Sequence, residues 1–292
     1  RVMLPTQYAG LASEVEPGHR VLINDGAIRM LAVDRAGERE LRCQVLHGGV
    51  ASSHKGINLP DSDLDLPALT SKDLEDLDVV LEHADLVGLS FVERVEDVEA
   101  LEREIAKRTS RPVGIILKIE TRRAFAELPS LLLAALRIER VGVMIARGDL
   151  AVECGFERLA DLQEEILALC GAAHVPVIWA TQVLEKLSKK GMPSRAEISD
   201  AALGARAECV MLNKGPYVVE AVRMLEDIFG RTERRLSEKM PVLCRLPVSK
   251  GVDSNDRDGV ALAERGARRG AAVAFALENA LLTDDEPAPP TR

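Results

Sequence analysis
Basic charge, clustered cysteines and long apolar runs are all missing from this sequence, and each absence removes a class of function. Lys and Arg total 38 against 47 Asp and Glu, a formal net charge of −9. A general nucleic-acid binder needs clustered cations to displace counterions from phosphates, so that class is excluded. Small anionic ligands remain open where a metal or a local cation receives them. The five cysteines, Cys43, Cys154, Cys170, Cys209 and Cys244, are widely spread, with no C-x-x-C pair and no His at zinc-ligand spacing. Neither a disulfide framework nor a zinc site is indicated, and reduced core thiols are expected. No stretch approaches the roughly 20 apolar residues of a membrane helix, and no basic segment followed by an apolar one opens the chain. The expected location is the cytoplasm, with no membrane partner. The chain starts at Arg1 rather than a methionine, so a fragment or a processed product is expected.

What is present is organised. Residues 19–47 carry three short alternating runs split at Asp25-Gly26 and Ala36-Gly37, which predicts a small antiparallel β unit. Ser71 is the expected N-cap of a short helix with Leu74, Leu77 and Leu81 on one face. From residue 84 the apolar runs "ADLVGLSF", "PVGIILKIE", "RVGVMIARGD", "VPVIWATQ" and "AECVMLNKG" recur at roughly 30-residue intervals, each followed by a helical segment. Leu159, Leu162, Ile166 and Leu169 mark one such helix face, and Val219, Val222 and Ile228 another. Strand–helix alternation with apolar strands predicts parallel strands covered by helices, in a doubly wound sheet or a (β/α) barrel. Beyond about residue 240 the expectation is a loop, an Ala- and Arg-rich helix near 260–282 and a disordered tail "DDEPAPPTR". A calcium loop beginning at Asp253 is rejected, because its sixth position is Asp258 where glycine is needed.

Each apolar run ends in polar residues: Ser90; Lys118 and Glu120; Arg147 and Asp149; Thr181 and Gln182; Asn213 and Lys214. In a barrel these C-terminal strand ends converge on one face, where the chemistry sits. Lys118 and Glu120 are two apart, so on an extended strand they point the same way. Glu120 and Asp149 come from adjacent strand ends, an arrangement that suits Mg²⁺, which takes one or two protein carboxylates and completes its shell with water and substrate oxygens. The Gly148 and Asp149 amides can approach an anion at the strand-to-helix turn, and Lys118 supplies fixed positive charge for a phosphoryl group or an enolate. Glu153 reads as a loop or helix-start residue rather than a third ligand, Trp179 as core, and His54, His83 and His174 as surface or loop positions.

The strings "KGINLP" (55–60), "LSFVERVEDV" (89–98), "ILKIE" (116–120), "VMIARGDLAVE" (143–153), "VPVIWATQVLEKL" (175–187), "PSRAEISDAA" (193–202) and "CVMLNKG" (209–215) resemble, in order and spacing, the motifs of the pyruvate kinase family. The resemblance covers about residues 19–230. It implies an α/β chain with the (β/α)8 TIM-barrel fold, present here as its last five βα units and preceded by part of a small β lid domain. The implied division is a partial lid over 1–54, a partial barrel over 55–235 and an unmatched segment over 236–292. The implied reaction is phosphoryl transfer from phosphoenolpyruvate to ADP, giving pyruvate and ATP, in the last step of glycolysis. Lys118 resembles the lysine that stabilises the transferring phosphoryl group, and Glu120 and Asp149 the Mg²⁺ ligands. Gly148 and Asp149 resemble the amides that hold the pyruvate carboxylate, Thr181 the threonine beside that carboxylate and the methyl carbon, and Ser90-Phe91 the end of the fourth barrel strand. K⁺ is a family cofactor whose ligand motif is absent from this chain, as are the first three barrel strands. A homo-oligomer is compatible with the family. Two rivals accompany this reading: a Mg²⁺-dependent lyase or aldolase acting on pyruvate or 2-oxo acids, and a non-catalytic kinase-derived binding protein.

Overall fold
The computed structural model describes residues 2–53, 55–64 and 66–236. His54, Cys244, the calcium-like loop and the expected segments beyond residue 240 lie outside these residues. After a one-turn helix α1 (Leu11–Glu14), strands β1 (Arg20–Ile23), β2 (Ile28–Gly37), β3 (Glu40–His47) and β4 (Ile57–Asn58) form an antiparallel sheet in the order β3-β2-β1-β4. Asn24, Asp25 and Gly26 all take positive φ, as the first tight turn demands. The second turn sits two residues later than expected, at Glu38-Arg39, because β2 continues through Ala36-Gly37 with register shifts on either side of Asp34–Arg35. Its core is small: Val15, Val21, Ala32 and Leu59.

The second sheet is wholly parallel, in the order β5 (Leu86–Leu89), β6 (Gly114–Ile119), β7 (Val141–Ala146), β8 (Val177–Val183) and β9 (Cys209–Leu212). All five expected apolar runs are strands. The helices follow in chain order: α2 (Ser71–His83) before β5; α3 (Val95–Arg108) after it; α4 (Arg122–Ala126) and α5 (Leu128–Ala135) after β6; α6 (Arg147–Cys154) and α7 (Leu159–Ala173) after β7; α8 (Glu185–Lys190) and α9 (Arg195–Gly204) after β8; and α10 (Val218–Leu236) after β9. Thr70, not Ser71, caps α2: its hydroxyl accepts from the Asp73 N–H while the Asp73 carboxylate accepts from Thr70, a reciprocal pair that Ser71 is one residue too late to make.

Alternation along the strands separates two faces. Ile115, Leu117 and Ile119 of β6, with Val143 and Ile145 of β7, are buried in one core with Leu101, Leu131, Leu162 and Ile166 of the helices. Each such side chain contributes about 1.5–3 kcal/mol. Ile116, Lys118, Met144 and Ile178 occupy the other face and are only half-buried. Burial of both faces, expected from the apolar runs, is therefore met on one side. In α10 the stripe against the core is Ala221, Leu225 and Ile228, whereas Val219 and Val222, expected beside Ile228, are 54% and 53% exposed. The i, i+4, i+7 spacing of the first set makes one continuous face; the two valines fall outside it.

Candidate active site
Lys118, the penultimate residue of β6, carries its ammonium on the half-buried face, with a side chain 12% exposed. Its Nζ donates to Ser90 Oγ at 2.9 Å and lies 3.2 Å from Glu120 Oε1. The same-face placement expected from the two-residue spacing thus appears as an ion pair at the strand's end. Glu120 Oε2 accepts from the Phe91 backbone N–H, which is aimed at it by a left-handed Phe91 (φ 51°) at the end of β5. Burial pushes the Glu120 carboxyl above the usual range, against the pull of Lys118 and the Phe91 N–H, and the charge of Asp149 pushes in the same direction as burial. The two carboxylates therefore repel one another across adjacent strand ends.

Asp149 stands in the first turn of α6, which begins directly after β7 without a loop. Its Oδ1 accepts from Asn58 Nδ2 at 3.1 Å, a bond between α6 and the antiparallel sheet. Gly148 precedes it with no positive φ, so its backbone does not require glycine. A Cβ there would meet Thr181 only at ordinary contact distance, 3.8 Å, so the missing side chain simply leaves the turn bare.

Thr181 and Gln182 interrupt β8 with φ of 65° and 57°, and Leu184 follows at 46°. A β-branched residue in this region costs about 1–3 kcal/mol and persists only where its surroundings hold it. The regular pairing of β8 with β9 breaks between Trp179 and Val183, so the bend coincides with the strand's C-terminal end. The Thr181 hydroxyl accepts from the Gly148 N–H at 2.9 Å.

Arg147, expected among the polar strand ends, turns away from this edge. It is 7% exposed, stacks 4.6 Å over the Trp179 ring and donates to the Ala180 and Thr181 carbonyls at 2.7 and 2.6 Å. Both of its terminal nitrogens also meet the Asp200 carboxylate, with NH2 to Oδ2 at 2.9 Å. Trp179 is core as expected, at 1% exposure, with the guanidinium on its face.

The remaining polar positions are scattered. Asn213 and Lys214 follow β9, with Lys214 exposed, and His83 and His174 sit at the ends of α2 and α7. Glu153 is inside α6 rather than at its start, and its carboxyl is pushed up to about 7 by burial and then by Glu93 and Asp149, against Arg122 and Arg20. Asn58 and Asp200 were not singled out by sequence reasoning, although both lie inside the quoted strings, and Phe91 was placed at a strand end without a role for its N–H. Asn58 and Asp200 reach their partners across 91 and 53 residues, distances that no local pattern encodes.

Among the described residues no group of three or more His, Cys, Asp or Glu is arranged to hold a metal. Glu120 and Asp149 repel one another, and a cation between them would relieve that repulsion. That fits Mg²⁺, which needs one or two protein carboxylates and draws its other ligands from water and substrate.

A largely parallel α/β chain that gathers a lysine and two carboxylates at the C-terminal ends of its strands has the layout in which α/β barrels place their sites. Residues 1–222 match the family described as the pyruvate kinase barrel domain. The chain is 37% identical over 237 residues to a pyruvate kinase of Thermococcus litoralis, an alignment covering 79% of this chain and 48% of the relative. It is 38% identical over 232 residues to that of Agaricus bisporus, covering 77% and 42%, and 37% identical over 252 residues to that of Mycobacterium intracellulare, covering 84% and 52%. The chain belongs to the pyruvate kinase family. It spans about half the length of the curated relatives it matches.

Proposed function
We propose that this chain carries the phosphoryl-transfer half of a pyruvate kinase site, acting on phosphoenolpyruvate and ADP to give pyruvate and ATP in a cytoplasmic, glycolytic setting. On this reading the five parallel strands are the last five of an eight-stranded barrel over residues 55–235, and residues 1–54 belong to a β lid. The observation that carries it is Lys118, held between Ser90 and Glu120 with the Asp149 charge alongside. A cation fixed at a half-buried strand end is suited to charge that accumulates on a phosphoryl group in transit, where catalysis is mostly positioning and charge stabilisation.

Mg²⁺ held by Glu120 and Asp149 would add positive charge against the phosphoryl and enolate oxygens. The chain's own groups do the rest. The Lys118 ammonium faces the transferring phosphoryl, the Asp149 N–H orients the substrate carboxylate, and the Thr181 hydroxyl, occupied as an acceptor by the Gly148 N–H, keeps its own proton for the substrate side. No helix among the described residues is long and apolar enough to cross a membrane.

The test is pyruvate release from phosphoenolpyruvate and ADP with Mg²⁺, with and without K⁺, beside calorimetric binding of Mg²⁺–oxalate, an enolpyruvate mimic. Lys118→Met is expected to lower turnover at least about a hundredfold while Mg²⁺ affinity changes little. An unchanged rate in the variant would remove Lys118 from the chemistry. Deuterium entering the pyruvate methyl group without ADP would favour the lyase reading, and absence of oxalate binding the non-catalytic one.

A further inference from the structure
We propose that Arg147 is a positioning residue: with Asp200 as its anchor, it holds Thr181 in the left-handed conformation that puts the Thr181 hydroxyl against the Gly148 N–H. The inference rests on the reading of Thr181 as a substrate-side group, and it assigns that edge a brace on the side away from the ligand. An arginine at the C-terminal end of a strand in an anion site is first read as an anion ligand. This one is not available for that role. Its Nε is taken by the Ala180 carbonyl, NH1 by Gln163 and Asp200, NH2 by the Thr181 carbonyl and Asp200, and its face by Trp179.

The two carbonyls it holds are consecutive and flank the point where β8 leaves its regular path, since Ala180 still pairs with Ala146 of β7 whereas Thr181 and Gln182 have turned to positive φ. A planar guanidinium can grip two successive carbonyls and a carboxylate at once, which an ammonium cannot. Asp200 comes from α9 and so ties the bend to a helix rather than to another loop. The neighbours of Arg147 and Thr181 in sequence complete the arrangement: Gly148, one residue after Arg147, donates to the hydroxyl of the residue whose carbonyl Arg147 holds. The two strand ends are thereby cross-linked twice, once by side chain to backbone in each direction.

The test compares the wild-type chain with Arg147→Lys and Asp200→Asn, using ¹³C-threonine and ¹⁵N-glycine labelling. The Thr181 signal is identified by its loss in Thr181→Ser. Both variants are expected to shift the Thr181 carbon and Gly148 amide resonances while leaving Thr70 and Thr121 in place. Both are also expected to weaken Mg²⁺–oxalate binding about tenfold with the affinity for Mg²⁺ alone unchanged; a merely structural role would lower the two together. Thr181 and Gly148 resonances that coincide with wild type in Asp200→Asn would overturn the proposal. Should Arg147→Lys fail to fold, Asp200→Asn decides, since the Asp200 side chain is 27% exposed. Failure of oxalate to bind the wild-type chain would sink the phosphotransferase reading, while the resonance comparison still decides the brace.

Discussion
Glu153 illustrates how burial without a partner changes a single residue. No cation is paired with its carboxylate closely enough to offset desolvation, and Glu93 and Asp149 add repulsion, so the proton is held up to about pH 7. A free glutamate loses it near 4.3. Between those values the folded chain binds a proton that the unfolded chain has released, so this group's contribution to stability declines as pH rises through that window and is flat above it. Glu153→Gln is therefore expected to be more stable than wild type at pH 8, by on the order of 3 kcal/mol, and no more stable at pH 4. Urea unfolding at the two values checks this, and parallel curves would refute it. Lys118 and Glu120 were legible because a period of two on a strand is unambiguous once its end is known. Arg147 was legible as a polar strand end but not as a brace, because its Asp200 partner lies on α9 and Trp179 lies on the neighbouring strand.

At the scale of elements, close packing fixes how α9 meets β8. A Cβ on Gly204, the last residue of α9, would fall 2.9 Å from Cδ1 of the Trp179 ring, closer than real contacts allow. The ring is 1% exposed and stacked against the Arg147 guanidinium, so it cannot give way cheaply. Gly204→Ala is expected to cost about 1–3 kcal/mol and to move the tryptophan fluorescence maximum, both readable in one thermal melt. A melt within about 0.3 kcal/mol of wild type, below the range of overpacking costs, would show that α9 can shift freely. The five strands and their helices were readable from runs of Val, Ile and Leu bounded by turns. The hairpin between β2 and β3 was misplaced by two residues because Ala36-Gly37 carries turn chemistry inside a bulged strand. The α2 cap was misplaced by one because Thr70 and Ser71 are both competent caps, and only the position of Asp73 three residues on distinguishes them.

Across the whole molecule the two sheets are unequal. The parallel sheet shares a core of more than thirty buried side chains with its helices, whereas the antiparallel sheet has its own cluster of four, with Leu22, Ile23 and Ile28 buried beside it. Local opening free energy follows buried apolar contact, so the two should not unfold as one unit under mild conditions. Hydrogen exchange in water is expected to be faster at Val21 and Met30, in β1 and β2, than at Leu117 and Val143, in β6 and β7, by about a hundredfold or more. Equal protection at these four amides would show a single cooperative unit.

One link between those unequal halves is a side-chain amide. Asn58, in the two-residue strand β4, hangs from β1 and donates to Asp149 at 3.1 Å. Hydrogen bonds of this kind are lost within about half an ångström of further separation. A rocking of the small sheet by less than the width of an atom would thus free one oxygen of a carboxylate on α6. The weaker half of the molecule is tied by that bond to a charge that acts on Glu120.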